Sequence, residues 1–246
     1  MDRSLYLAMT GATQMMRAQE VVSNNLANAS TVGFKSELSA FKSLPVLGGG
    51  LSTRINAVAV GLGQDGSQGS LKSTGRSLDV ALNGSGWIAV QAPDGSEGYT
   101  RAGDLQLTSN GQLTDSEGNP VMGNSGPISI ADTQNIRIGE DGTISGVPSG
   151  DGPNTVSALG QLKLVNPGPG EMAEGSDGLM HMSSGGQAEV DPSVRVTSGA
   201  LENSNVNASA ELVKMIALSR QYDMQIKSIK STEDNAAAAA KLLQSN

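Results

Sequence analysis

Cysteine is absent from the 246 residues, which removes disulfides, thiolate metal centres and cysteine nucleophiles together and leaves the redox compartment open. Aromatics are nearly as scarce: one tryptophan, three tyrosines and two phenylalanines beside 32 glycines. That balance argues against an enzyme with a densely packed centre and for many turns joining short strands. Histidine occurs once, at His181, so neither a zinc site of several nitrogen ligands nor an imidazole relay has its parts, and no cofactor is expected. Excess positive charge is lacking too. A formal net charge of −8 repels a phosphate backbone, and no nucleic-acid partner is expected. No stretch approaches the ~18 apolar residues of a membrane span, so no membrane insertion is expected. The first thirty residues include Asp2, Arg3, Arg17 and Glu20 and do not read as a secretory leader.

What the chain does possess is concentrated at its ends. Leu5, Met9, Ala12, Met16, Gln19, Ser23 and Leu26 step alternately by four and three, the spacing that keeps one stripe on one helix face. The pattern predicts a helix over 3–28, about 39 Å long. At the other end Leu212, Met215, Ser219, Tyr222, Ile226, Ile229, Glu233, Ala236, Ala240 and Leu243 repeat the design, with Val213, Ile216 and Leu218 widening the stripe. Asn207 or Ser209 can cap this helix, and neither proline nor glycine interrupts 208–246. At about 55 Å it outreaches a small domain some 30 Å across. Part of its apolar face must therefore be covered by other protein, since bare stripes promote association.

Between the ends the periodicity changes to two. LDVALNGSGWIAVQ at 78–91 reads as strand, turn, strand; PDGSEG at 93–98, SNGQ at 109–112 and GEDGT at 139–143 are further turns. IRIGEDGTIS at 136–145 predicts a hairpin, and QLKLVN at 161–166 and VRVTSGALE at 194–202 add later strands. The whole reads as mainly β with long terminal helices. Those helices are expected to pair as a coiled-coil-like inner layer around an irregular central β-sandwich or barrel. The expected divisions are an amino-terminal helix in 1–35, a Gly/Ser-rich extended connector in 36–77, a central β domain in 78–200 and a carboxyl-terminal helix in 201–246. The connector carries the glycine triplet at 48–50 and GLGQDGSQGS at 61–70.

Several motifs tempt and fail. Gly61, Gly63 and Gly66 match a dinucleotide-binding spacing, but SQGSLKSTG follows, where a helix would have to open behind the pyrophosphate. Ser39 and Lys42 form a lone S-x-x-K without its companion motifs. Asp79, Asp94, Asp104, Asp115, Asp141 and Asp151 are scattered among turns without the cadence of a calcium loop. Trp87 reads as an anchor of the β core.

The opening MDRSLYLAMTGATQ, the segment SNNLANASTVGFK at 23–35, the central LDVALNGSGWIAVQAPDGSEGYTRAGDLQLTSNGQL and the late SGALENSNVNASAELVKMIALSRQYDMQIKSIKSTEDNA together resemble the rod and hook proteins of the bacterial flagellum, over nearly the whole chain. The resemblance implies a structural subunit of the basal-body rod, nearest to the proximal rod component, with a distal rod or hook-type axial protein as the alternative within the family. It places the terminal helices in the inner layer of a helical tube with the β domain outside. The implied partners are further copies of the chain, other rod proteins and the flagellar type III export apparatus. Asn24, Asn25, Leu26 and Asn28 correspond to the family's amino-terminal signature, with Gly33 and Phe34 following; Val32 stands where many relatives have proline or asparagine. Asn205 and Val206 match the turn into the long helix. The expected subunit contacts add Leu5, Met9, Met16, Leu212, Met215, Ile216, Arg220, Tyr222, Ile226 and Ile229. The asparagine amides are expected to bond neighbouring helices or to close the helix end. A secreted β-rich binding module or adhesin is the alternative outside the family, and it leaves the long helices without a use.

Overall fold

The computed structural model describes residues 3–45, 55–130, 133–149, 155–168 and 170–244. The glycine triplet at 48–50 and Asp151 lie outside them, as do the side chains of Ala236, Ala240 and Leu243. The chain forms two compact units, one of Met1–Ala29, Ser36–Asp65 and Val206–Asn246, the other of Ser30–Lys35 and Gly66–Asn205.

The first unit joins helix α1 (Arg3–Ala27), a hairpin of β1 (Glu37–Pro45) and β2 (Ile55–Gln64), and the 37-residue helix α2 (Ala208–Gln244). At the end of α1, Asn28 donates from its backbone N–H and its Nδ2 to the Asn24 carbonyl, both at 3.1 Å, and from Nδ2 to Asn24 Oδ1 at 2.8 Å. These bonds occupy the carbonyl a helix end leaves open. α2 begins on an asparagine cap, with the Ala210 N–H donating to Asn207 Oδ1 at 3.1 Å. Glu211 in its first turn complements the helix dipole. The two helices pack along one another. At Gly11 a β-carbon would stand 3.2 Å from Gln225 Cδ, so glycine there permits the close approach. Of the stretch read as an extended connector, residues 37–45 and 55–64 pair as an antiparallel ladder from Glu37↔Gln64 to Pro45↔Ile55, with a bulge between Leu38 and Ser39.

The second unit holds β3 (Leu71–Ser73), β4 (Val80–Asn83), β5 (Trp87–Gln91), β6 (Glu97–Thr100), β7 (Gln106–Leu107), β8 (Leu113–Thr114), β9 (Met122–Gly123) and β10 (Gly126–Pro127). It continues with β11 (Thr133–Ile138), β12 (Thr143–Pro148), β13 (Ser157–Gln161), β14 (Leu164–Val165), β15 (Met172–Glu174), β16 (Met180–Met182), β17 (Arg195–Ser198) and β18 (Ala200–Glu202). The expectation of a sandwich or barrel is corrected here. Among the described residues there is no closed barrel; the strands form small sheets, the largest being five-stranded in the order β14-β5-β6-β16-β15, beside three-stranded β11-β12-β13 and several pairs. The cause is strand length. Glycine-rich turns cut the chain into strands of six residues or fewer, and closure needs a ladder that continues around the whole circumference. The hairpin expected at 136–145 forms as β11 and β12. Strands β4 and β5 flank NGSG as expected but do not pair with each other: β4 joins β17, and β5 joins β6 and β14.

Two apolar clusters lie in this unit. The larger gathers Val80, Leu82, Ile88, Val90, Leu105, Leu113 and their neighbours. The smaller holds Ala89, Tyr99, Val165, Met180 and Ala188, with Trp87 packed against it as the sequence suggests. Tyr99 is fully buried, and its hydroxyl oxygen accepts from the Ala188 N–H at 2.7 Å.

Candidate assembly surface

The first unit inverts the usual distribution of side-chain size. Among the described residues its buried apolar side chains are Ala8, Ala12, Ala18 and Val22. The larger ones stand outside: Tyr6, Met9 and Met16 on α1, Leu38, Phe41 and Leu44 on β1, and Leu212, Val213, Ile216, Met224 and Ile226 on α2. Of the expected contacts, Met9, Met16, Asn24, Leu212, Ile216, Arg220 and Ile226 are exposed. Leu5, Leu26, Asn28, Phe34, Asn205, Val206, Met215, Tyr222 and Ile229 are half-buried, while Asn25 and Gly33 are buried. Along α2 the half-buried positions Met215, Leu218, Tyr222, Gln225, Ile229 and Thr232 recur every three or four residues, so one stripe meets the unit and the rest of the helix faces outward.

Asn25 has a use within its own chain. Its Nδ2 donates to the Glu37 carbonyl at 2.9 Å and its Oδ1 accepts the Glu37 N–H at 2.8 Å. The amide thus imitates a strand partner and fixes the start of β1 to α1. Gln14 does the same for β2, its Oε1 accepting the Ala59 N–H at 2.9 Å. Two buried amides, at 6 % and 3 % exposure, grip the hairpin that presents Phe41 and Leu44.

In the second unit a charged cluster ties together chain segments adjoining both terminal helices. Glu202, only 1 % exposed, accepts at Oε1 from Lys35 Nζ at 2.6 Å and the Gly69 N–H at 2.8 Å, and at Oε2 from Arg101 Nη2 at 2.8 Å and Nε at 3.1 Å. Lys35 also donates to the Ser67 carbonyl at 2.6 Å, and Arg101 to the Gly86 and Gly84 carbonyls at 2.8 and 2.7 Å. The guanidinium lies 5.9 Å from the centroid of the Trp87 ring. Burial pushes the Glu202 carboxyl up, but hydrogen bonds from Lys35, Gly69 and Arg101, with the Arg101 charge, outweigh it and hold the group below its ordinary value. The Gly33 N–H donates to the Glu202 carbonyl at 2.8 Å. Gly33 has φ +70°, and a β-carbon there would collide with the Arg101–Ala102 backbone, so the position requires glycine twice over. The Asn205 N–H donates to the Phe34 carbonyl at 3.4 Å, and its Nδ2 to Ser67 at 3.1 Å.

Charge is divided unevenly. The first unit carries nine Lys and Arg against eight Asp and Glu, the second seven against sixteen, so nearly all the negative excess belongs to the β unit.

Three family models match in chain order: "Flagella basal body rod protein" over residues 5–35, "Flagellar hook protein FlgE/F/G D1 domain" over 81–146 and "Flagellar basal body rod FlgEFG protein C-terminal" over 197–242. The chain is 47 % identical to the flagellar basal-body rod protein FlgF of Escherichia coli (strain K12), over 99 % of each. It belongs to the flagellar basal-body rod protein family. It is 45 % identical to FlgF of Salmonella typhimurium (strain LT2), over 99 % of each, and 35 % identical to the rod protein FlgG of Buchnera aphidicola from Acyrthosiphon pisum, over 94 % of this chain and 95 % of that one. As a rod protein it is a structural component of the flagellar basal body. The first and third matched segments contain the exposed helix faces, and between them Gly33, Lys35 and Glu202.

Sequence reasoning missed the Lys35–Glu202–Arg101 cluster of this rod protein. One signal was present: alternation in β18 puts Glu202 on the same side as buried Ala200, and a carboxylate on an inward face demands cationic partners.

Proposed function

We propose that this protein is a structural, non-enzymatic subunit of the proximal flagellar rod and adds to it through the first unit. Met9 and Met16 on α1 and Leu212, Ile216 and Ile226 on α2 become buried against further copies or other rod proteins. Met215, Tyr222 and Ile229 hold the two helices in place, and Arg220 supplies a polar contact at the rim. The observation that carries this reading is the first unit's burial of alanine and valine beside its exposure of leucine, isoleucine and methionine. Fully covering one such side chain contributes roughly 1.5–3 kcal/mol, of which a half-exposed residue has about half still to gain. Neighbouring subunits add tertiary partners to two helices that already lie along one another, and so stabilise further both ends of a subunit delivered by the type III export apparatus. The likeness to rod proteins over the full chain supports that route.

The test is the paired substitution Leu212→Asp and Ile216→Asp. Both positions are exposed, so Trp87 fluorescence and urea stability of the purified chain stay unchanged, while the protein disappears from isolated basal bodies and motility is lost. Normal basal bodies containing the double variant would reject the reading.

A further inference from the structure

Methionine is the one side chain on the exposed apolar surface that common oxidants convert reversibly into a polar group. Met9 and Met16 stand seven residues apart, two turns along the same side of α1, and are 51 % and 50 % exposed; Met224 on α2 is 60 % exposed. Met180, in the smaller cluster of the second unit, is 9 % exposed. The chain has ten methionines and no cysteine, so no thiol of its own intercepts an oxidant first.

We propose that Met9, Met16 and Met224 form a reversible oxidative-modification site, and that their sulfoxides bar the free subunit from joining the rod. The second half rests on the assembly reading above; the first half rests on exposure alone. In the forward step the thioether sulfur attacks a peroxide, the O–O bond breaks, one oxygen becomes the S=O group and the other leaves as water, the sulfur losing two electrons. In the reverse step two thiols reduce the sulfoxide, giving back the thioether, a disulfide and water. A sulfoxide is a strong hydrogen-bond acceptor. Buried against an apolar neighbour without a donor, it costs enough to weaken subunit addition about tenfold or more at each position. Once a subunit is in place the same sulfurs are covered, so sensitivity belongs to the free chain.

The purified full-length protein is treated with hydrogen peroxide, oxidation is mapped by peptide mass spectrometry over time, and self-association is followed by sedimentation. Met9, Met16 and Met224 are expected to oxidise at least ten times faster than Met180. Association should fall with their oxidation and return when a methionine sulfoxide reductase with a thiol donor restores them. A triple variant, Met9→Leu, Met16→Leu and Met224→Leu, is compared with its own untreated state, and peroxide should leave its association unchanged whatever its starting level. Preferential oxidation of other methionines overturns the site. Equal association before and after oxidation, or a peroxide-induced loss in the triple variant as large as in the parent, overturns the block. Failure of the untreated parent to associate overturns the block, while the mass-spectrometric order still decides the site and the aspartate double variant still decides the assembly reading.

Discussion

Replacing Glu202 with glutamine keeps the size of the side chain and removes its charge, and the geometry of its donors sets the cost. Each carboxylate oxygen faces donors: Lys35 Nζ and the Gly69 N–H on one side, Arg101 Nε and Nη2 on the other. An amide has one oxygen. Whichever way it turns, its NH2 confronts donors, two hydrogen bonds are lost and two buried cations share a neutral acceptor. Breaking one member of a buried charged group costs about 3–5 kcal/mol, a large part of the ~5–15 kcal/mol that holds a domain together. The melting temperature should fall by roughly 6–20 °C, at about 2–4 °C per kcal/mol for a chain of this size. Urea unfolding followed through Trp87, which lies under the Arg101 guanidinium, measures the loss in the unit concerned. The acid limb gives a second reading. Because the folded carboxyl sits below its ordinary 4.5, its contribution is complete above about that pH and is lost as pH falls through the lower folded value. The glutamine variant should lack this part of the acid destabilisation. A variant within about 1 kcal/mol of the parent at neutral pH, with the same acid profile, would refute the account of the cluster.

Asn25→Ala removes both hydrogen bonds to Glu37 and leaves its backbone groups facing a methyl; amide exchange at Glu37 should accelerate by a factor of ten or more, for a cost of about 1–3 kcal/mol. Unchanged protection at Glu37 would mean that the side chain does not hold β1. Burial pushes the Tyr99 phenol up to about 12, so ultraviolet titration should show one of the three tyrosines ionising late. The same shift makes folding stability decline between pH 10 and about 12, where the unfolded phenol ionises and the folded one does not; three tyrosines titrating together near 10 would contradict it.

Much of this architecture was legible because helix periodicity survives at single-sequence level. The spacing over 3–28 and 208–246 foretold α1 and α2 to within a residue or two, Asn207 caps as read, and GEDGT turns β11 into β12. Which side of α1 faces inward was only partly legible. Of the expected stripe, Ala12 is buried and Leu5, Gln19 and Leu26 are half-buried, whereas Met9, Met16 and Ser23 are exposed and Ala8, Ala18 and Val22 are covered instead, since close packing of a helix favours small side chains. Pairing of β4 with β17 joins Asn83 to Arg195, a separation that no local pattern encodes. Glycines at 61 and 63 hid the strand character of β2, which Gln14 holds while Asn25 holds β1. The Glu202 cluster joins residues far apart in the chain, and only the alternation in β18 hinted at it.

The cluster around Glu202 also has a mechanical side. The chain enters and leaves the β unit at residues 30, 35, 66 and 205, and the stretches just inside those crossings are cross-braced through Gly33, Lys35, Ser67, Gly69 and Asn205. A pull applied along any one crossing is therefore shared among several bonds, and no single crossing depends on one hydrogen bond alone.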